Sequence, residues 1–181
     1  LQKLKINGLQ VNGMNATFLQ TDSTFHCVTP QTFKENDSLF IEIDYSGMPV
    51  TDARWGGFFF TGDYAFNMGV GMASNPPVFG RCWFPCNDNF TDRATYAFHI
   101  TTDSGYMAVC SGIQEAAVVN PDKSITWNWK LNQTIPTYIA NVAVSKYVLL
   151  SHSFKSISGQ TLPVTLAVNV ADTAKARVSF L

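Results

Sequence analysis

A chain of 181 residues with 46% hydrophobic, 13% aromatic and only 14% charged residues carries enough apolar side chain for a packed core of ordinary size. The same composition excludes a disordered chain. A formal net charge of -1 gives no long-range field to attract nucleic acid or an anionic membrane, and no apolar run is long enough to span a bilayer.

In chain order, nearly every segment reads as strand. Leu4-Lys5-Ile6 and Leu9-Gln10-Val11 flank Asn7-Gly8, and Asn12-Gly13 follows; Asn-Gly pairs favour the positive-φ turns that close hairpins. Leu39-Phe40-Ile41-Glu42-Ile43-Asp44-Tyr45 alternates apolar and polar from Phe40 onward as a half-buried strand does, and Ser46-Gly47-Met48-Pro49 breaks it. Phe58-Phe59-Phe60-Thr61 and Tyr64-Ala65-Phe66 surround Gly62-Asp63, a hairpin signature. Gly69 to Pro77 reads as an irregular loop. Ala94 to Ile100 is a β-like run, and Ile125 to Leu131 is a strand entered through the turn Asn120-Pro121-Asp122-Lys123. Ile139 to Leu150 reads as one long β-prone run, and Ser158-Gly159 turns the chain back into Pro163 to Val170. The end differs: Asp172 is placed to cap a helix starting at Thr173-Ala174-Lys175-Ala176-Arg177. The expected organisation is a β domain over 1–171, with 172–181 beginning a linker or helix toward another domain. Leu1 in place of an initiator Met leads to the expectation that the chain is a cut or mature piece of a longer protein.

Groups that could carry chemistry are few. His-Glu-x-x-His, Gly-x-Ser-x-Gly and a Walker-type phosphate loop are all missing from the sequence, and Gly69-Val70-Gly71 lacks the rest of a dinucleotide fingerprint. His26, His99 and His152 stand singly, so no metal site is expected. Cys27, Cys82, Cys86 and Cys110 read as structural or free thiols, with disulfides left open. The pairs Asp88 and Asp92, and Asp44 and Asp52, fit turn caps better than a catalytic dyad. Trp55-Gly56-Gly57-Phe58-Phe59-Phe60 is either a recognition surface or a strand buried on both faces, and burial is the simpler account. Four Asn-x-Ser/Thr sequons, at Asn15, Asn36, Asn89 and Asn132, point to exposed loops.

The most distinctive stretch is Arg81-Cys82-Trp83-Phe84-Pro85-Cys86-Asn87-Asp88, continued by Arg93-Ala94-Thr95-Tyr96. It resembles the Trp-Phe-Pro-Cys-x-Asp segment in the N-terminal domain of the aminopeptidase N-like (gluzincin) zinc metallopeptidases. Ile135 to Tyr147 resembles a later strand of that domain, in the same order. The resemblance implies a saddle-shaped antiparallel β-sandwich, without its first strands, preceding a thermolysin-like catalytic domain on the same polypeptide. It also implies zinc in that absent domain and none in this chain, and peptide N-termini as the substrate of the parent protein. The chain itself would be catalytically inactive, closing one wall of the cleft and bracing the catalytic domain. A secreted or periplasmic location is favoured.

In that family a Gln or Glu before the Pro-Cys segment holds the substrate's α-ammonium group. Aligned without gaps on Pro85-Cys86, this position falls on Pro76, which can accept nothing through its ring. Asn75 is then the expected substrate-binding residue, with Ser74 beside it; the other options are that the catalytic domain alone binds the amine, or that the loop is only a connection. Around the turn, Arg81 and Asp88 are expected to pair with each other or with backbone, Cys86 to be a small buried hydrophobe, and the Tyr138 hydroxyl to find a partner at the end of a core strand. Trp83 is expected in the core, with Trp83→Ala costing roughly 3–5 kcal/mol. The rival reading is a non-enzymatic β-sandwich that binds proteins or glycans.

Overall fold

The computed structural model describes residues 3–180, and antiparallel strand dominates them, with one short helix at the end: an all-β fold, as the sequence indicates. The chain is divided between two compact units. One takes the residues up to Phe59 with Asn67–Ala94 and Ile135–Asn141; the other takes Phe60–Phe66, Thr95–Thr134 and the residues from Val142 onward.

In the first unit β1 (Lys5–Val11), β2 (Met14–Asn15) and β5 (Ile41–Ser46) form a sheet in the order β2-β1-β5, while β3 (Thr17–Gln20) and β4 (Phe25–Val28) make a separate hairpin. Asn12 and Gly13, at φ 50° and 77°, close the β1–β2 turn as their dipeptide predicts. Asn7-Gly8 does not turn: β1 runs through it, with a register shift between Ile6 and Gly8. The apolar residues explain why. Leu4 and Ile6 are even-numbered, Leu9 and Val11 odd, so an unbroken strand would send the two pairs to opposite faces. The bulge inserts one residue, and Ile6, Leu9 and Val11 then oppose Tyr45, Ile43 and Ile41, all on one face. Leu4, Ile6, Leu9 and Val11 are buried as a result, with Phe18 and Phe25 of the neighbouring hairpin packed over Leu4 and Ile6.

β6 (Gly56–Thr61) and β7 (Tyr64–Gly71) flank Gly62-Asp63, with Gly62 at φ 55°. β7 continues through Gly71, so the irregular loop starts after that residue and not at Gly69.

The second unit is built from β8 (Arg93–Thr102), β9 (Met107–Cys110), β10 (Ile113–Gln114), β11 (Val118–Val119), β12 (Ile125–Pro136), β13 (Val142–Ser145), β14 (Tyr147–Lys155) and β15 (Thr161–Asn169). β8, β10 and β11 all pair with the long β12. Residues of β12 alternate: the Trp129 indole is buried and donates to the Ala108 carbonyl at 2.9 Å, and that of Trp127 donates to the Thr102 hydroxyl at 3.0 Å. On the other face Asn128 meets His99, and Thr126 meets Thr101. The expected single run from Ile139 to Leu150 starts late, at Val142, and is then broken once. Thr137–Ile139 is a 3-10 turn, and the chain changes partners at Lys146, leaving β9 and β7 for β15. The predicted turn at Ser158-Gly159 closes the β14–β15 hairpin, with Gly159 at φ 84°. The helix α1 (Thr173–Phe180) begins where expected. The capping bond sits before it: Asn169 accepts from the Ala171 N–H in the preceding 3-10 turn, and Asp172 pairs with Lys175 at 3.3 Å.

Candidate functional site

The Pro85 turn lies in the first unit and is held by one carboxylate. Pro85 fixes its own φ, and the turn formers after it bring Asp88 back toward the 3-10 turn Gly80–Cys82. Asp88 Oδ1 accepts from the Gly80 N–H at 3.2 Å and the Thr137 hydroxyl at 3.0 Å; Oδ2 accepts from the Arg81 N–H at 3.2 Å and Arg81 Nη1 at 2.8 Å. Arg81 Nη1 also donates to the Val78 carbonyl at 2.9 Å. The expected pairing of Arg81 and Asp88 is therefore present, both directly and through backbone. The Asp88 side chain is 5% exposed, so these bonds are made out of water. Burial, then the Asp88 charge, pushes the Cys86 thiol up to about 12, and burial and Asp88 do the same at Cys82. Thiols so far from ionising suit packing, as read for Cys86, and not nucleophilic attack.

Trp83 is half-buried, which corrects its expected place in the core. Its ring packs on Phe84 at 4.8 Å and Phe58 at 6.4 Å between centroids, and its carbonyl accepts from the Tyr45 hydroxyl. Because the residue is only partly buried, Trp83→Ala should cost about 1–3 kcal/mol by chemical denaturation, less than a full core cavity. A loss above about 4 kcal/mol would mean that the ring is packed as a core residue. Tyr138 lies in the 3-10 turn Thr137–Ile139, directly after the end of β12, with its ring edge-on to Phe90 at 5.4 Å.

The loop after β7 rises from a narrow base. Val70 bridges to Val78, and the Phe79 N–H donates to the Gly69 carbonyl at 2.6 Å, so residues 72–77 form an excursion between two fixed points. Ser74 turns its hydroxyl inward, within bonding distance of the Gly71 carbonyl (2.8 Å) and the Val78 carbonyl (3.2 Å). Asn75 and Pro76 are exposed at the tip, joined by a cis peptide bond. Of the two residues expected to bind substrate, Ser74 thus braces the loop and Asn75 is presented by it.

Asp52, read only as a turn cap, reaches further. Its Oδ1 accepts from the Arg54 and Trp55 N–H groups at 2.9 and 3.0 Å, closing the turn before β6. The Ala73 N–H donates to both carboxylate oxygens, at 3.1 and 3.2 Å. Desolvation pulls the Asp52 carboxyl upward, but the N–H groups of Trp55, Arg54 and Ala73 outweigh it and hold it below its ordinary value. Thr51, Asp52, Ala73, Ser74, Phe79 and Arg81 line a cavity of about 550 Å³. The sequence signal for Asp52 is an Asp three residues before Trp55-Gly56-Gly57. It announces the local cap but not the bond to a residue 21 positions away.

The three histidines lie exposed on β4, β8 and β14, and among the described residues no three His, Cys, Asp or Glu side chains gather as a metal site. No helix among the described residues is long and apolar enough to cross a membrane.

Antiparallel strands and a Pro-Cys turn clasped by a buried carboxylate define an all-β domain of a particular kind. The chain belongs to the peptidase M1 N-terminal domain family, whose model matches residues 2–139. Its fold is shared with an M1 zinc metallopeptidase from Deinococcus radiodurans, a mutant of which was solved with a Tyr-Ser-Ala substrate: TM-score 0.82, 18% identity, 94% of this chain and 39% of that one. It is likewise shared with an aminopeptidase A from Legionella pneumophila in complex with aspartic acid: TM-score 0.79, 17% identity, 97% of this chain and 20% of that one. The chain thus spans about two fifths or less of the length of these proteins. No curated protein matches it significantly in sequence.

Proposed function

We propose that this chain is the non-catalytic N-terminal domain of a zinc-dependent aminopeptidase-like protein, where it forms one wall of the substrate cleft and braces the catalytic domain of the same polypeptide. The observation that carries this reading is the family match over residues 2–139, which takes in both the clasped Pro85 turn and the 72–77 loop. Among the described residues no cluster of His, Cys, Asp or Glu side chains fits zinc, so the metal would be held by the catalytic domain. When bound there, zinc supplies activation of water for peptide hydrolysis. This chain's part is to accept hydrogen bonds from the substrate's α-ammonium group. The Asn75 amide oxygen, at the exposed loop tip, supports that role better than Ser74, whose hydroxyl already serves the loop.

The test is made on the full-length protein: zinc content together with hydrolysis of a panel of aminoacyl chromogenic amides. Zinc and turnover are expected, with a raised KM in Asn75→Ala. Absence of both metal and turnover in the full-length protein would overturn the peptidase reading. Trp55, 49% exposed beside Gly56-Gly57, favours a second reading as a protein- or glycan-binding module, which that result would leave standing.

A further inference from the structure

We infer that Asp52 is a positioning residue for the amine-binding loop: its carboxylate clasps residues 72–77 to the turn 52–55 and so fixes where Asn75 stands. The inference rests on the reading just proposed. Four features carry it. The Ala73 N–H, two residues before Asn75, donates to both Asp52 oxygens. The same Oδ1 is held from the other side by the Arg54 and Trp55 N–H groups, so the acceptor cannot drift with the loop. The Met72 N–H donates to the Trp55 carbonyl at 3.1 Å, a second tie between the two segments. Finally, Gly71 leaves the room: a Cβ there would stand 3.1 Å from Asp52 Oδ2 and 2.8 Å from Ser74 Oγ.

The loop's other ties are its base, the Ser74 bonds and the Val78 N–H donating to the Pro76 carbonyl at 2.8 Å, all made within residues 69–79; the Asp52 and Trp55 bonds are those that anchor it to the turn 52–55. An acceptor displaced by an ångström loses most of a charge-assisted hydrogen bond to an ammonium group, which is lost affinity before it is lost chemistry. Asp52 touches no reacting atom in this account; it acts through Ala73.

The experiment uses the full-length protein with Asp52→Ala and Asp52→Asn. Asn keeps an Oδ1 able to accept from Arg54, Trp55 and Ala73, whereas Ala keeps nothing. For aminoacyl chromogenic amides, Asp52→Ala should raise KM by about tenfold, the worth of one charged hydrogen bond, with kcat within about twofold. Asp52→Asn should restore most of KM. Amide hydrogen exchange across residues 72–77 should quicken in the Ala variant alone. An unchanged KM, a loss confined to kcat, or an Asn variant as impaired as the Ala variant would overturn the inference. If the wild-type protein has no turnover at all, the peptidase reading fails separately, and exchange decides the clasp: protection of the Ala73 amide unaltered by Asp52→Ala would overturn it.

Discussion

Replacing Asp88 by alanine is expected to lower the free energy of unfolding by about 3–5 kcal/mol, because it removes a buried carboxylate that accepts four hydrogen bonds. The Asp88 carboxylate accepts from the backbone at Gly80 and Arg81, from the Thr137 hydroxyl and from the Arg81 guanidinium. Removing it leaves two N–H groups and a hydroxyl without that acceptor in a place where water enters poorly, and leaves the 23%-exposed Arg81 side chain with the Val78 carbonyl. Asp88→Asn keeps an amide oxygen and the shape, so it should lose less than the alanine variant. Urea denaturation of the three proteins gives the order directly. A loss below about 1 kcal/mol for Asp88→Ala would show that the clasp is solvated and worth no more than a surface pair.

Gly69→Ala should be at least as damaging, and for a different reason. An added Cβ would lie 1.6 Å from the Tyr138 carbonyl oxygen, 2.5 Å from its carbon and 3.0 Å from its Cα. These are backbone atoms, so no side chain can swing away to make room. The backbone around residue 69 or around the 3-10 turn 137–139 must move, and both carry further bonds: the Gly69 carbonyl accepts from Phe79, and the Thr137 hydroxyl donates to Asp88. A loss of more than about 4 kcal/mol, or failure to accumulate folded protein, is expected. An alanine variant as stable as wild type would mean that β7 and the 3-10 turn do not approach as closely as described. Asn67→Ala serves as a milder neighbour, since it removes side-chain bonds to Ala140 and Asn141 without a steric clash.

Local chemistry made the all-β architecture and most of its hairpins legible. Gly62-Asp63, Asn12-Gly13, Lys123 and Ser158-Gly159 each turn where the residues demand it, because the requirement for positive φ is a property of a few adjacent residues. Asn7-Gly8 has the same local signal and does not turn. What decides there is the change of apolar phase between Ile6 and Leu9, which only a partner strand can reveal. The break at Lys146 is of that kind too, since each half of the β-prone run is a good strand and only the pairing partners differ. At the candidate site, Arg81 with Asp88 could be read because only six residues, one of them a proline, lie between them. The bond from Asp52 to Ala73 could not, because the two meet only once β6 and β7 have folded back. Burial was least legible: Trp83 sits in an apolar run yet is only partly buried, and composition does not tell which residues of a run face solvent.

The division of the chain between two compact units has a consequence for how the molecule is made. The polypeptide passes from one unit to the other at 59/60, 66/67, 94/95, 134/135 and 141/142, so neither unit is encoded by one uninterrupted stretch. Residues 67–94 can finish their unit only after 135–141 have left the ribosome, and the Asp88 clasp waits on Thr137 for its last bond. Each unit is therefore completed only by pairings distant in sequence, which places the domain among slow folders. A stop codon or a proteolytic nick before residue 135 leaves two partial units in place of one whole one. Deletion mapping across this region should accordingly read out all-or-none solubility, with no soluble half to recover.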